Sequence, residues 1–266
     1  MLELYQFEIS QYCEKVRLIL DYKGLEYRKI EVTPGMGQLD LFQKSGQRQV
    51  PVLKDGDTYI PDSTEIALYL ERKYPEKPII PTTPKKKGFC LALEEWADES
   101  IATKGRKALI GALNKNQSFR TSILPSDTPD VVKTLVGAVP GNFLDILGSG
   151  VGMGGDAVKA AEASLKQDLE ALCLMLSDSP YLLGDTPTLA DFAVAGLSII
   201  LKYPAGNYLD IPAQLKGNGI PGLADNPAYE PFFTWRDRLY TDYRQPLNGG
   251  GTTDFNQDTP HSINID

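Results

Sequence analysis

The first 77 residues change hydrophobic period several times, which is typical of short strands that alternate with helices. Two apolar segments with strand character, Leu2–Phe7 and Tyr27–Val32, flank a stretch whose apolar residues recur at helical spacing until Gly24. Further along, the Asp55-Gly56 pair lies between two short apolar runs and predicts a β-hairpin. Short helices are predicted after the second strand and from near Asp62.

The order of these elements, β-α-β-α-β-β-α, predicts that residues 1–77 form an α/β thioredoxin-like domain. Residues 78–87 are rich in proline and predict a linker. Helical periodicity dominates residues 88–245, which predicts an all-α helical-bundle domain with a Gly- and Pro-rich insertion at about 122–155. Residues 246–266 are rich in Gly, Asn, Asp and Thr and predict a disordered tail. The predicted helices of the second domain cover residues 89–114, 156–176, 188–200 and 228–243.

The chain of 266 residues carries a net charge of -8, which argues against binding to nucleic acid or to anionic membrane surfaces. No apolar run approaches the ~20 residues that a membrane span requires, so no span is expected. The amino terminus begins with strand-like sequence and lacks the pattern of a secretory signal. Three cysteines, Cys13, Cys90 and Cys173, lie far apart and form no CxxC motif. We therefore expect a cytoplasmic protein without disulfide bonds.

Histidine usage limits the chemistry further, since the only histidine of the sequence is His261, in the predicted tail. A Ser-His-Asp triad, a Cys-His pair or a histidine-based metal site would have to recruit that tail residue. We therefore expect no metal ion and a reaction that proceeds without a histidine base.

A hydroxyl and a thiol lie three residues apart where the first strand leads into the first helix. Taken locally, Ser10 is an ordinary helix N-cap and Cys13 is a small buried residue of the first turn. The same position offers free backbone N–H groups and a partial positive charge, which make a nearby thiol easier to ionise. Glutaredoxins carry Cys-Pro-x-Cys at this turn, whereas this chain has Ser10 in place of the first thiol and Gln11 in place of the proline. A two-cysteine redox cycle is therefore not expected.

Two further dipeptides lie at a strand or helix start, where ligand sites commonly form. Val50-Pro51 opens the third strand. The pair either only marks the start of the strand or presents extended backbone that pairs with a peptide ligand. Asp62-Ser63 precedes the third helix, either as its N-cap or as a carboxylate and a hydroxyl that hold the amino and carboxylate groups of a ligand. From each dipeptide alone, the structural interpretation is the simpler one.

Four motifs, in this order, resemble those of the soluble glutathione transferase family. They are Ser10-x-x-Cys13-x-x-Val16-Arg17, Gln49-Val50-Pro51, Asp62-Ser63 and Thr188-Leu189-Ala190-Asp191. The resemblance covers roughly residues 1–110 and 156–245, and it implies the family's two-domain architecture and a homodimer. The fourth motif also has a physical reason of its own, because a hydroxyl and a carboxylate at this spacing cap the first N–H groups of a helix.

The resemblance also implies a function, in which glutathione as co-substrate is conjugated to a small hydrophobic electrophile or reduces it. The Ser10 hydroxyl would donate a hydrogen bond to the glutathione thiolate. In the family's cis-proline motif, Gln49-Val50-Pro51 here, the backbone of Val50 would pair with the cysteinyl part of glutathione. Asp62-Ser63 would hold the γ-glutamyl end. Trp96 either faces the electrophile or packs in the core.

Two alternatives stay open. In the first, Cys13 forms a mixed disulfide with glutathione, which would give a thiol transferase or a dehydroascorbate-type reductase. In the second, the chain is a non-catalytic binding or scaffold protein on the same fold. The insertion at about 122–155 and the lack of a recognisable residue for the glycine carboxylate of glutathione favour the second alternative.

The chain departs from the family pattern at two sites, and it also carries the insertion at about 122–155, which is not part of the common pattern. No basic residue precedes the second helix to bind the glycine carboxylate, and Lys44 and Arg48 are the candidate substitutes. Tyrosine-type members use a tyrosine on the first strand; that position is Gln6 here, and Tyr5 is expected on the opposite strand face. The GxGxxG pattern at 150–155 has no convincing strand before it, so we interpret it as a flexible loop.

Overall fold

A computed structural model describes residues 1–33, 35–122, 124, 128–138 and 155–247. Its strands are β1 (Leu2–Gln6), β2 (Tyr27–Glu31), β3 (Val52–Asp55) and β4 (Thr58–Pro61). They form a four-stranded sheet in the order β2-β1-β3-β4. Strand β1 runs parallel to β2 and antiparallel to β3, which in turn runs antiparallel to β4.

Two helices connect these strands and a third follows the last strand, in the predicted order. They are α1 (Gln11–Lys23), α2 (Met36–Ser45) and α3 (Ser63–Lys73). As predicted, α1 ends at Gly24, whose φ of 72° lies in the left-handed region that glycine adopts without a steric penalty. The mixed sheet and its helices confirm the predicted thioredoxin-like fold.

Both faces of the sheet are covered, and each face packs into a different buried cluster. Leu4, Leu20 and Ile66 belong to a large buried cluster that α1 and α3 form with one face and that continues into the helical part of the chain. Tyr5 and Val52 belong to a smaller buried cluster on the other face. Because neighbouring residues of a strand point to opposite faces, Tyr5 lies on the opposite face from Leu4, as predicted.

Helices dominate the described residues after 78. They are α4 (Pro84–Trp96), α5 (Thr103–Lys115), α6 (Gln117–Ser122), α7 (Asp130–Ala138), α8 (Gly155–Met175), α9 (Leu189–Leu197) and α10 (Glu230–Tyr243), with a π-helical segment, Ala97–Ala102, between α4 and α5. The single helix predicted over 89–114 therefore begins earlier, at Pro84, because proline suits the first position of a helix. The mostly helical second part confirms the predicted architecture.

Parts of three predictions lie outside the described residues. These are most of the insertion at 122–155, the GxGxxG pattern within it, and the tail from residue 248. In the described part of the insertion, α7 is helical. Across the ranges that the structure describes, no helix combines the length and apolar character needed to cross a membrane. The division of the chain into two domains, a linker and a tail stays a prediction.

The start of α9 confirms the predicted capping box. The backbone N and the Oγ1 of Thr188 both donate to Oδ2 of Asp191 at 2.8 Å, and the backbone N of Leu182 donates to Oδ1 at 2.8 Å. Asp191 is fully buried, so its carboxylate satisfies N–H groups that water does not reach. The capping box thereby fixes the start of a helix that packs directly against α1.

We expect Gly196→Ala to destabilise the folded protein by about 1–3 kcal/mol, because it overpacks the contact between α9 and α1. A Cβ added at Gly196 would lie 2.6 Å from the backbone Cα and N of Lys15, which cannot move independently of α1. The control is Gly88→Ala in α4, where an added Cβ meets no atom within 4 Å and should stabilise the helix by about 0.5–1 kcal/mol. Chemical unfolding measures both, and equal midpoints for the two variants would contradict the prediction.

Candidate functional site

Three strand ends meet at one edge of the sheet. In the ladder, Tyr5 of β1 is paired with Val52 of β3, and Val52 is paired with Pro61 of β4. The end of β1, the start of β3 and the end of β4 are therefore neighbours, about 4.8 Å apart from strand to strand. Ser10, Val50-Pro51 and Asp62-Ser63 lie directly beyond these ends, so the sheet brings together the motifs that the sequence singled out.

Ser10 is the N-cap of α1 and is half-buried. Its Oγ accepts a hydrogen bond from the backbone N of Cys13 at 3.4 Å, and its own backbone N donates to the carbonyl of Phe7 at 3.1 Å. Accepting a bond leaves the hydroxyl proton available to an anion that binds at the helix N-terminus. The helix N-terminus adds a partial positive charge at the same point. Ser10 therefore combines a hydrogen-bond donor with a favourable field for an anion.

Cys13 lies one turn into α1 and is fully buried. Burial raises the pKa of its thiol to about 11, although the Arg17 charge and a hydrogen bond with Ser10 act in the opposite direction. A thiol with this pKa is almost entirely protonated at neutral pH, and a buried sulfur has no path to an external disulfide. The environment of Cys13 is that of a small packing residue.

Asp62 has an unusual backbone conformation, with φ of 70° and ψ of 135°. For a non-glycine residue this conformation costs about 1–3 kcal/mol, and such residues are concentrated at ligand sites. Oδ1 of Asp62 accepts hydrogen bonds from the backbone N of Thr64 at 2.8 Å and of Glu65 at 3.1 Å, which caps α3. Both bonds use the same oxygen, so Oδ2 of this exposed side chain is left to face an external donor. Ser63, the next residue, is buried.

The segment before β3 contains a cis peptide bond between Val50 and Pro51, in agreement with the resemblance. Pro51 is buried, Val50 is half-buried and Gln49 is exposed. The two candidates for binding a glycine carboxylate both have other contacts. Nζ of Lys44 donates to Oδ2 of Asp40 at 2.7 Å, and the guanidinium of Arg48 lies 5.0 Å from the ring centroid of Phe42.

Arg17 fixes the turn that presents Ser10, a role that sequence analysis did not predict. Its buried guanidinium donates to the carbonyl of Glu8 at 2.7 Å, to Oε1 of Gln6 at 2.6 Å and to Oε2 of Glu14 at 2.5 Å. Oε1 of Glu8 in turn accepts from the backbone N of Asp210 at 3.2 Å. The turn is therefore held from inside by α1 and from outside by the chain that precedes α10.

A second buried network lies beside Asp62-Ser63. Nζ of the fully buried Lys15 donates to Oγ1 of Thr64 at 3.2 Å and to Oδ2 of Asp98 at 3.1 Å, and it also donates to Glu94. Oγ1 of Thr64 donates to Oε1 of Glu94 at 2.6 Å. The network joins α1 and α3 to α4 and the π-helical segment, so it sets the position of α3 relative to Ser10.

Two aromatic residues that the sequence analysis considered, Tyr5 and Trp96, pack against the buried clusters. Tyr5 is buried in the cluster on the far face of the sheet, where burial and the neighbouring Tyr59 raise its pKa to about 12. This supports the prediction that Tyr5 does not activate a thiol. Trp96 is half-buried and packs against the large core cluster, which favours the core interpretation.

Comparison with protein families matches two parts of the chain. A model described as the N-terminal domain of glutathione S-transferase matches residues 4–78, and one described as its C-terminal domain matches residues 155–238. Together the two models cover 159 of the 266 residues (75 plus 84).

Curated relatives match the chain mainly through partial alignments. A glutathione S-transferase of Triticum aestivum is 35% identical over 108 residues, which is 41% of this chain and 50% of the relative. A zeta-class glutathione S-transferase of Euphorbia esula is 38% identical over 120 residues, which is 44% of this chain and 53% of the relative. The chain thus spans about half the length of these relatives. An isoprene-epoxide glutathione S-transferase of Rhodococcus matches more fully, at 26% identity over 82% of this chain and 90% of its own.

Solved structures show the same fold at low sequence identity. A glutathione S-transferase from Rhodospirillum rubrum superposes with a TM-score of 0.61 and 18% identity, covering 91% of this chain and 88% of its own. Human glutathione S-transferase T1-1 in its apo form gives a TM-score of 0.58 and 20% identity, covering 91% and 83%.

Proposed function

Since the chain belongs to the glutathione S-transferase family, we propose that it joins the thiol of glutathione to a small hydrophobic electrophile, with Ser10 as the residue that stabilises the thiolate. The observation that supports this most directly is the position of the Ser10 hydroxyl. It lies at the N-terminus of α1, beside the ends of three strands, with its proton available to an external anion. The reactive thiol belongs to glutathione, because the nearest protein thiol, Cys13, is buried.

The chemistry requires a thiolate at neutral pH. A thiol with an unperturbed pKa near ~8.5 is mostly protonated there, and lowering that pKa by ~2 units requires about 2.7 kcal/mol. One charge-assisted hydrogen bond from Ser10, together with the field of the α1 N-terminus, supplies a free energy of this size. The thiolate sulfur then bonds to the electrophilic carbon while the leaving group departs with the electrons of the broken bond. No histidine base is needed.

The rest of glutathione would extend along the same edge of the sheet. Oδ2 of Asp62 faces outward to accept from the α-ammonium of the γ-glutamyl group, while Ser63 and the N-terminus of α3 favour its carboxylate. The backbone of Val50, beside Gln49 and the cis Pro51, would pair with the cysteinyl part. The glycine carboxylate would be bound by Arg48 or Lys44 after small side-chain movements.

The two alternatives have weaker support. Mixed-disulfide chemistry at Cys13 requires an accessible thiolate, whereas its sulfur is buried and its pKa is raised. Of the second alternative, a scaffold that binds no ligand leaves unexplained why the strained Asp62 and the donor Ser10 lie on one edge; a non-catalytic binding protein is separated by the activity test below. A homodimer, a cytoplasmic location and the absence of a resident metal remain part of the proposal. Within the described residues, no cluster of three or more His, Cys, Asp or Glu side chains is arranged to hold a metal ion.

Asp62→Asn is expected to raise KM for glutathione about tenfold, because it removes one charge from a charge-assisted hydrogen bond. Asparagine keeps the cap on α3 and tolerates positive φ, so the unfolding midpoint should hardly change. Asp57→Asn, in the exposed hairpin turn, makes the same charge change away from the site and serves as the control. Initial rates at varied glutathione concentration measure the effect. An unchanged KM in Asp62→Asn would remove this carboxylate from the site.

The proposed activity is tested directly with 1-chloro-2,4-dinitrobenzene, whose glutathione conjugate forms with loss of chloride, and with retention of the protein on immobilised glutathione. Conjugation above the uncatalysed rate, together with retention, is the expected result. Retention without conjugation of any aryl halide or epoxide tried would favour the binding or scaffold alternative. A protein that is neither retained nor active would contradict the proposed site.

A further inference from the structure

A cation packs on the first turn of α1, the helix whose N-cap is Ser10. Arg106 is exposed on α5, with its guanidinium carbon 5.6 Å from the ring centroid of Tyr12 and its Nη2 3.4 Å from the Tyr12 hydroxyl. Tyr12 is half-buried and follows Ser10 by two residues, in the first turn of α1. Nε2 of Gln11 donates to the carbonyl of Ala102 at 3.2 Å, which fixes the start of α1 against the start of α5. The start of α5, which carries Arg106, is therefore held against the first turn of α1, which begins after Ser10.

The charge of Arg106 is not neutralised. Across the part of the chain that the structure describes, its guanidinium forms no ion pair with a carboxylate. The carboxylate of Asp98, which lies within electrostatic reach of Tyr12, is instead bound to Nζ of Lys15 at 3.1 Å. Contact with the face of an aromatic ring leaves the guanidinium N–H groups at its edge free to donate. In a chain with a net charge of -8, this arrangement is suited to an external anion.

Apolar surface accompanies the cation. Ile9, directly before Ser10, is 58% exposed. The ring of Tyr12 offers a second apolar surface. On α5, Ile110 follows Arg106 by four residues and therefore lies on the same helix face, where it is half-buried. An apolar body that packs on Tyr12 would have Arg106 within reach.

We propose that the electrophile taken by this site carries a carboxylate on an apolar or aromatic body, and that Arg106 binds this carboxylate while Tyr12 supports the guanidinium. The inference rests on the proposed function, because it specifies the second substrate of the same reaction. Arg106 acts as a specificity-determining residue: it favours acidic electrophiles over their neutral esters.

The other assignment, in which Arg106 binds the glycine carboxylate of glutathione, predicts a different result. If Arg106 bound that group, its removal would raise KM for glutathione with every electrophile. If Arg106 binds the electrophile, KM for glutathione stays the same and only acidic electrophiles are affected. The two assignments therefore separate in one set of kinetic measurements.

The test uses 4-chloro-3,5-dinitrobenzoate and its methyl ester, which share the ring and the chloride that the thiolate sulfur displaces. For Arg106→Gln we expect kcat/KM for the acid, corrected for the uncatalysed rate, to fall about tenfold, since a charge-assisted bond is lost. For the ester, kcat/KM should change less than about twofold, and Arg106→Lys should restore part of the activity with the acid. Arg72→Gln, an exposed cation on α3, makes the same change in net charge and should leave both substrates unaffected.

Each other outcome overturns the inference. Equal losses with acid and ester, or no loss with either, would contradict a role of Arg106 in substrate selection and leave the proposed function intact. A raised KM for glutathione with both substrates would assign Arg106 to glutathione. A wild-type protein that conjugates neither compound, and no other electrophile, would contradict the proposed function, and the inference would fail with it.

Discussion

Replacing Ser10 by alanine is expected to lower kcat/KM for glutathione conjugation by about 10- to 100-fold at neutral pH, the range that loss of one hydrogen bond to a charged group predicts. The hydroxyl is the donor at the N-terminus of α1, and its loss leaves the thiolate with the helix field alone. The bound thiol then has a higher pKa, so a smaller fraction of it is ionised. The measurement is kcat/KM for a neutral aryl halide across pH at saturating glutathione, which reports the pKa of the bound thiol.

The pH dependence distinguishes loss of thiolate stabilisation from general damage. Thiolate is the reactive form, so its fraction rises with pH and reaches its limit above the pKa of the bound thiol. The pH profile of kcat/KM for Ser10→Ala should therefore move to higher pH by about 1–2 units. The deficit relative to wild type should shrink at high pH, where the thiol ionises without help. A deficit that stays constant from neutral to alkaline pH would indicate a different role for Ser10.

Two further variants serve as controls for this experiment. Alanine at Ser10 also removes a helix cap, which costs about 1 kcal/mol of stability, whereas glycine costs only a few tenths. Ser10→Gly should therefore lose activity to the same extent as Ser10→Ala while remaining more stable. Cys13→Ala should keep most of its activity, because the sulfur is buried. A deglutathionylation activity that is lost in Cys13→Ser and kept in Ser10→Ala would instead favour the mixed-disulfide alternative.

The location of the site could be predicted from sequence because its parts are local. Ser10, Val50-Pro51 and Asp62-Ser63 each lie beside an element whose period or cap residue is visible in a few neighbouring positions. The strand register then brings them to one edge without any further information. The capping box of Thr188 and Asp191 could be predicted for the same reason.

The buried charges could not be predicted in this way. Helix α1 contains Glu14, Lys15 and Arg17, which a periodicity argument places on a solvated face, yet all three are fully buried. Their partners include Glu94, which is 79 positions away in sequence, and Arg244, which is 230 positions away. Local patterns carry no signal about pairs so far apart. The one local indication was that α1 lacks a continuous polar face. This agrees with the structure, in which both the sheet and the helical part of the chain cover α1.

The other large effect concerns this buried charge network. Arg244→Met is expected to destabilise the folded protein by about 3–5 kcal/mol, because it removes the cation paired with the buried Asp21 and one of the two arginines paired with the buried Glu14. Arg244 follows α10, and its guanidinium donates to Oε1 of Glu14 at 3.0 Å and to Oδ2 of Asp21 at 2.6 Å. Both carboxylates are on α1 and both are buried, so water cannot replace the lost partner. Methionine retains much of the side-chain volume, which limits the contribution of lost packing.

Equilibrium unfolding in urea measures this change, with Arg28→Met as the control. Arg28 pairs with Glu3 at 3.2 Å, but its side chain is 52% exposed, so its loss should cost less than about 1 kcal/mol. Both variants remove one arginine. Arg244→Met breaks two ion pairs to buried carboxylates, whereas Arg28→Met breaks one to the partly exposed Glu3. Similar midpoints for the two variants would contradict the assignment of stability to the buried network.

The pH dependence of the Arg244→Met deficit tests its electrostatic origin. Burial alone would raise the pKa of Glu14, but Arg17 and Arg244 outweigh it and hold that pKa at about 2, against 4.5 for an ordinary glutamate. The stability that Glu14 contributes is therefore present above about pH 4.5 and is lost as the pH falls towards 2. The difference in unfolding free energy between wild type and Arg244→Met should be full at neutral pH and should narrow over that acidic interval, because a protonated Glu14 no longer needs a cation. A deficit of the same size at pH 3 and pH 7 would instead assign the effect to packing around the Arg244 side chain.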